Sequence, residues 1–82
     1  MVIKVNTIEG HNVREQEAIS HAQHYTLVDY KPLGKQKSTE YKTLDEAITN
    51  GKLIVSKNSK AKILIYSVKD TNWALLKTIR EE

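Results

Sequence analysis

The sequence contains no cysteine and no phenylalanine among its 82 residues. The lack of cysteine excludes disulfides, thiolate metal sites and cysteine nucleophiles, and it is typical of a protein in a reducing cytoplasm. The lack of phenylalanine removes the commonest base-stacking side chain of RNA-recognition strands. The side chains left for stacking are four tyrosines and one tryptophan: Tyr25, Tyr30, Tyr41, Tyr66 and Trp73.

Long apolar runs are also lacking, since the block "ILIY" at residues 63–66 is among the longest. No run approaches the roughly 20 residues that span a bilayer, and the first ten residues lack the apolar region of a signal peptide. Glycine-rich phosphate loops are missing as well, so no nucleotide cofactor is expected. These features predict one small cytoplasmic domain covering residues 1–82, with no cofactor and no membrane partner.

The charge is unevenly distributed along the chain, whose formal net charge is +3. Residues 1–30 carry −2, residues 31–62 carry +5, and residues 63–82 are neutral. The positive excess in the middle consists entirely of lysine. Lysine is a hydrated point charge that suits phosphate or other anions and reads base edges poorly.

The firmest helix signal lies between Thr43 and Lys57. Thr43 and Glu46 form a capping box, and an apolar stripe of helical period then stays in phase across Gly51. We therefore predict one continuous helix over about 44–57, with Asn58 as a left-handed C-terminal cap. The alternative is a short helix that ends at Asn50-Gly51, followed by a strand through "KLIVS".

The remaining pattern predicts strands. A first strand covers about 2–8, a hairpin joins 25–30 to 38–42 through a turn containing Pro32, and a second hairpin joins 61–68 to 73–79. Asn12 and Glu15 suggest a short second helix over about 13–23, with an irregular loop as the alternative. The fold predicted is α+β: an antiparallel sheet of four or five strands with the main helix packed across it. Strand 61–68 is apolar on both faces, so it should be central, with its second face covered by the N-terminal segment or by a second copy.

Two histidine groupings could carry chemistry. His21 and His24 have the spacing of a shared metal site, with His11, Glu15 or Glu17 as a third ligand, but solvated histidines are the commoner outcome and no metal is predicted. His24 beside Tyr25, with Lys31 or Lys35 nearby, is the one grouping that would suit a small nuclease. An enzyme is the third of three hypotheses, and no catalytic residue is assigned.

The leading hypothesis is a small non-catalytic binding or regulatory protein, of the accessory or inhibitor kind that phages and mobile elements carry. Its partner would be another protein or a second copy of itself. The alternative is a nucleic-acid-binding protein that uses the lysine-rich middle of the chain. Trp73 opens the last strand, where it favours a core position over an interface anchor. The candidate binding residues are six lysines, which could converge on one end or simply be solvated, and the tryptophan: Lys31, Lys35, Lys37, Lys57, Lys60, Lys62 and Trp73.

Overall fold

The computed structural model describes residues 2–31 and 33–82, so Met1 and Pro32 of the predicted hairpin turn lie outside the described residues. The predicted α+β fold is confirmed, with five strands and two helices among these described residues. In chain order the elements are β1 (Ile3–Thr7), α1 (Val13–Ser20), β2 (His24–Tyr30), β3 (Lys37–Tyr41), α2 (Leu44–Lys57), β4 (Lys62–Lys69) and β5 (Asn72–Glu81).

The strands form one antiparallel sheet in the order β1-β5-β4-β2-β3. Strand β4 is central, as its two apolar faces predicted. The β4–β5 register shifts between Ile65 and Tyr66, where β5 carries one extra residue. The two chain-terminal strands, β1 and β5, lie side by side, so residues from both ends of the sequence meet in the sheet.

Helix α2 is continuous through Gly51, so the alternative of a strand after Asn50 is wrong. The capping box forms as predicted: the Glu46 backbone N–H donates to Thr43 Oγ1 at 3.2 Å, and the Thr43 hydroxyl donates to Glu46 Oε1 at 3.1 Å. The predicted left-handed cap is wrong, because Asn58 has φ −142°. Its N–H donates to the Ile54 carbonyl at 3.0 Å, which closes the last turn without a left-handed residue.

Removing the N-cap of α2 should measurably weaken the fold. We expect Thr43→Ala to lower the free energy of unfolding by about 1 kcal/mol, because it leaves a first-turn N–H without its side-chain acceptor. Urea denaturation followed by circular dichroism measures the change. Thr43→Ser keeps the hydroxyl and should retain most of the stability. Equal stability of the alanine and native proteins would show that the cap contributes nothing.

The main core lies between α2 and one face of the sheet. Fully buried side chains from three elements meet there, namely Val55 of α2, Ile63 and Ile65 of β4, and Ile79 of β5. Small residues on the sheet-facing side of α2 let its backbone approach closely, since Ala47 is fully buried and Gly51 lies against Ile79 and Ile63. The core therefore depends on a close helix–sheet approach as well as on apolar area.

Helix α1 covers part of the other face of the sheet. Both helices pack on β4 and β5, yet within the described chain they make no contact with each other, which places them on opposite faces. Asn12 caps α1 as predicted by accepting from the Glu15 N–H at 2.9 Å, and Ala18 is the buried residue of the helix. The helix ends at Ser20 rather than 23, because the Gln23 N–H already donates to the Val68 carbonyl of β4 at 2.8 Å. The N-terminal segment thus supplies a second cover for β4.

Candidate functional site

At one end of the sheet, segments that are far apart in the sequence lie close together. The register pairs Tyr30 at the end of β2 with Lys62 at the start of β4, and Ile3 of β1 with Glu81 of β5. The turn of the β2–β3 hairpin and the joint between α2 and β4 lie at this same end. We call it the basic end and define it as residues 2–4, 29–31, 33–37, 57–63 and 79–82.

The basic end carries most of the positive charge of the molecule. It holds eight of the thirteen Lys and Arg residues but three of the ten Asp and Glu residues, a formal charge of +5. The rest of the chain has five basic and seven acidic residues, a formal charge of −2. The eight basic residues are Lys4, Lys31, Lys35, Lys37, Lys57, Lys60, Lys62 and Arg80. The protein is therefore electrostatically polarised in space, with the same +5 against −2 that separates residues 31–62 from the rest of the sequence.

All six of the candidate lysines lie at this end. Two of the eight cations, Lys4 and Arg80, were missed by sequence reasoning, because their segments have little net charge of their own. The antiparallel pairing of β1 with β5 places them there, directly opposite each other. The sequence does show one cation within each of the two terminal strands. It does not reveal that these strands are neighbours in the sheet.

Three of these cations form a row across neighbouring strands. Lys4 of β1 is opposite Arg80 of β5, and the β4–β5 register brings Lys62 to the other side of Arg80. Tyr30 of β2 completes the row opposite Lys62, whose Nζ lies 5.6 Å from the centre of the tyrosine ring. Like charges directly opposite each other destabilise a sheet. Lys4 has one acidic neighbour, with its Nζ 3.4 Å from Glu82 Oε1, so the row retains an excess of positive charge that an anion would neutralise.

Hydrogen bonds hold the two lysine-bearing loops of the basic end. In the hairpin turn, the Gln36 side chain accepts from the Lys31 N–H at 3.1 Å and donates to the Lys31 carbonyl at 2.8 Å. In the joint after α2, Asn58 Oδ1 accepts from the Lys60 N–H at 3.1 Å, and the Asn58 carbonyl accepts from the Ala61 N–H at 3.0 Å. The backbone of Lys31 and of Lys60 is thus hydrogen-bonded to a neighbouring side chain, which lowers the entropy that these two residues lose on binding.

Trp73 lies at the opposite end of the sheet. It is paired with Val68, six positions along β4 from Lys62, which corresponds to about 20 Å. The expectation of a core position is wrong, because Trp73 is 53% exposed. Its ring centre lies 5.8 Å from that of Tyr66. The fold therefore separates Trp73 from the lysines with which it was grouped.

The histidine groupings do not assemble into a site. His24 and Tyr25 are consecutive strand residues and so point to opposite faces, with Tyr25 packed against the main core. Lys31 is at the far end of β2 from His24. Within residues 2–31 and 33–82 there is no group of three His, Asp or Glu side chains placed to hold a metal ion, and no ligand-sized cavity.

The basic end is thus a cationic surface that carries one exposed aromatic ring, Tyr30. No protein-family model, curated protein or solved structure matches this chain. Neither helix in the described part of the chain is long and apolar enough to cross a membrane.

Proposed function

We propose that this is a non-catalytic binding protein whose partner is a nucleic acid, contacted through its phosphates at the basic end. The observation that carries the proposal is the convergence of eight cations from four separate segments on one end of the sheet. Cations that replace condensed counterions on a phosphate backbone gain affinity through counterion release. The acidic remainder of the molecule would face away from the nucleic acid and orient the protein on it.

The composition of the basic end favours contacts to phosphate over direct base readout. Seven of its eight cations are lysines, which act as point charges, and Arg80 alone has the planar fork that reads guanine. We therefore propose binding with little sequence preference.

Of the two partner classes expected from the sequence, charge segregation favours nucleic acid over protein at this end. A protein partner or a second copy also stays a prediction, and we propose the opposite end, where Trp73 is exposed, as the place for it. We also propose a regulatory role in the cytoplasm, because the chain is small, has no cysteine and offers no assigned catalytic residue.

Salt dependence tests the proposal. We expect fluorescence anisotropy to detect binding of labelled ten-nucleotide and ten-base-pair probes at low salt, with log K falling linearly against log [salt]. If four phosphates are neutralised, the slope for a single strand is about −3. Failure to bind either probe at 25 mM salt would overturn the proposal, and so would equally tight binding of polyglutamate, which has carboxylates in place of phosphates.

A matched pair of double variants locates the site. Lys35→Gln/Lys60→Gln removes two cations of the basic end, whereas Lys42→Gln/Lys69→Gln removes two from the other end with the same change in net charge. The first pair should weaken binding about tenfold or more near 50 mM salt and make the salt slope shallower by about 1.4. The control should change affinity less than about threefold, since it acts only through long-range charge. Equal losses of affinity in the two double variants would contradict the assignment of the basic end as the binding site.

A further inference from the structure

We propose that the basic end binds single-stranded nucleic acid in preference to duplex, and that Tyr30 provides the surface on which an unpaired base stacks. This inference rests on the proposed function and specifies the form of the nucleic acid. It is carried by the one large aromatic side chain that the fold exposes among the cations of the basic end.

Tyr30 lies where a base can reach it. It is the last residue of β2, it is 40% exposed, and it adjoins the row of cations across the sheet. Tyr25, five residues earlier on the same strand, points to the opposite face and packs against the main core. Lys62 Nζ lies over the ring, 5.6 Å from its centre, so a base would stack on the other face of the ring or displace the ammonium group.

The surrounding cations are spaced for an extended strand. Neighbouring β-strands are about 4.8 Å apart, so the row from Tyr30 through Lys62 and Arg80 to Lys4 spans about 14 Å. An unstacked backbone could follow this row with its phosphates near the three cations and one base against Tyr30. Stacking platforms combined with cationic tracks are the usual means of binding single strands without sequence preference.

The form of the nucleic acid decides whether the tyrosine contributes. In a duplex the bases are paired and stacked on each other, so a tyrosine ring on the protein surface cannot reach a base face. A site that uses phosphate contacts alone should favour the duplex, which has the higher charge density. The exposed ring therefore predicts tighter binding of the single strand than of the duplex. Phosphate contacts alone predict the opposite order of affinities.

Three probes with equal numbers of phosphates per strand separate stacking from charge. These are a ten-nucleotide oligothymidine, an abasic oligonucleotide of the same length and a ten-base-pair duplex, each titrated by fluorescence anisotropy at fixed low salt. We expect the native protein to bind oligothymidine about 5- to 100-fold more tightly than the abasic strand, and also more tightly than the duplex.

Two substitutions of Tyr30 assign the effect to the ring. Tyr30→Ala should lower affinity for oligothymidine to that for the abasic strand and leave abasic binding unchanged. Tyr30→Phe keeps a stacking face and should retain the native preference. Thermal unfolding of each variant checks that the fold is intact, and Tyr30→Leu replaces the alanine variant if that one unfolds.

The outcomes distinguish the inference from the proposed function. If all three probes bind with a steep salt dependence but the abasic strand equals oligothymidine, or the duplex binds best, stacking by Tyr30 is overturned while phosphate binding stands. An equal loss for the abasic strand and oligothymidine in Tyr30→Ala also overturns it. If none of the probes binds at low salt, both proposals are wrong.

Discussion

Replacing Ile65 with alanine is expected to lower the free energy of unfolding by about 2–5 kcal/mol. Ile65 is fully buried in the middle of the central strand, in the cluster that α2 covers, so truncation leaves a cavity that packed neighbours cannot fill. A domain of this size has a total stability of roughly 4–12 kcal/mol. The variant should therefore lose a large share of its stability, which thermal unfolding would show as a decrease in Tm of about 10–30 °C.

The neighbouring residue provides the control for this prediction. Leu64 precedes Ile65 on β4 but points to the opposite face, where it is partly exposed. We expect Leu64→Ala to cost less than half as much, because less apolar area is lost and water can fill the space. Similar losses for the two variants would contradict a main core confined to the α2 face.

Replacing Gly51 with leucine should produce the second large loss of stability. A Cβ atom at this position would lie 2.7 Å from Ile79 Cδ1 and 3.2 Å from Ile63 Cγ2, both on fully buried side chains. A leucine adds three further carbons, so α2 must move away from the sheet or both isoleucines must leave their rotamers. Overpacking costs about 1–3 kcal/mol for small insertions and occasionally more, and the four added carbons place this variant at about 3 kcal/mol, which urea denaturation would measure.

Two other substitutions on α2 test whether the loss of stability comes from the contact of residue 51 with the sheet. Lys52→Leu adds the same side chain at the next, exposed position and should change stability by no more than about 0.5 kcal/mol. Gly51→Ala should fall between native and leucine, because a gain of up to about 1 kcal/mol in helix propensity opposes the contact with Ile79. A leucine variant as stable as the native protein would mean that α2 is not seated as closely as the structure indicates.

Sequence signals predicted the secondary structure well where it depends on interactions between residues close together in the chain. The Thr43–Glu46 capping box and the stripe through Gly51 predicted α2 with its observed bounds, because caps and periodicity act within a few residues. The cap at Asn58 was predicted wrongly, because the residue is extended and its N–H closes the last turn by donating to the Ile54 carbonyl. Trp73 was wrongly expected in the core, because the burial of a strand-end residue depends on which elements lie over it.

The candidate site was only partly visible in the sequence. The lysines of the middle third were identified, yet their convergence was undecided, because lysines in two loops meet only if their strands are paired in a particular register. Lys4 and Arg80 could not be found at all, since each lies in a segment of low net charge. The exposure of Tyr30 was equally hidden, because it depends on which elements cover the end of β2.

The sequence by itself determined the types and approximate bounds of the elements, the central place of β4 and the excess of lysine over arginine. These follow from hydrophobic period, capping and composition, which act over short distances along the chain. The tertiary structure alone decided that β1 lies beside β5, that the helices take opposite faces, and that eight cations and Tyr30 lie at the same end of the sheet. Strand order and register are set by long-range packing, and a shift of one residue would turn every side chain of a strand to the other face.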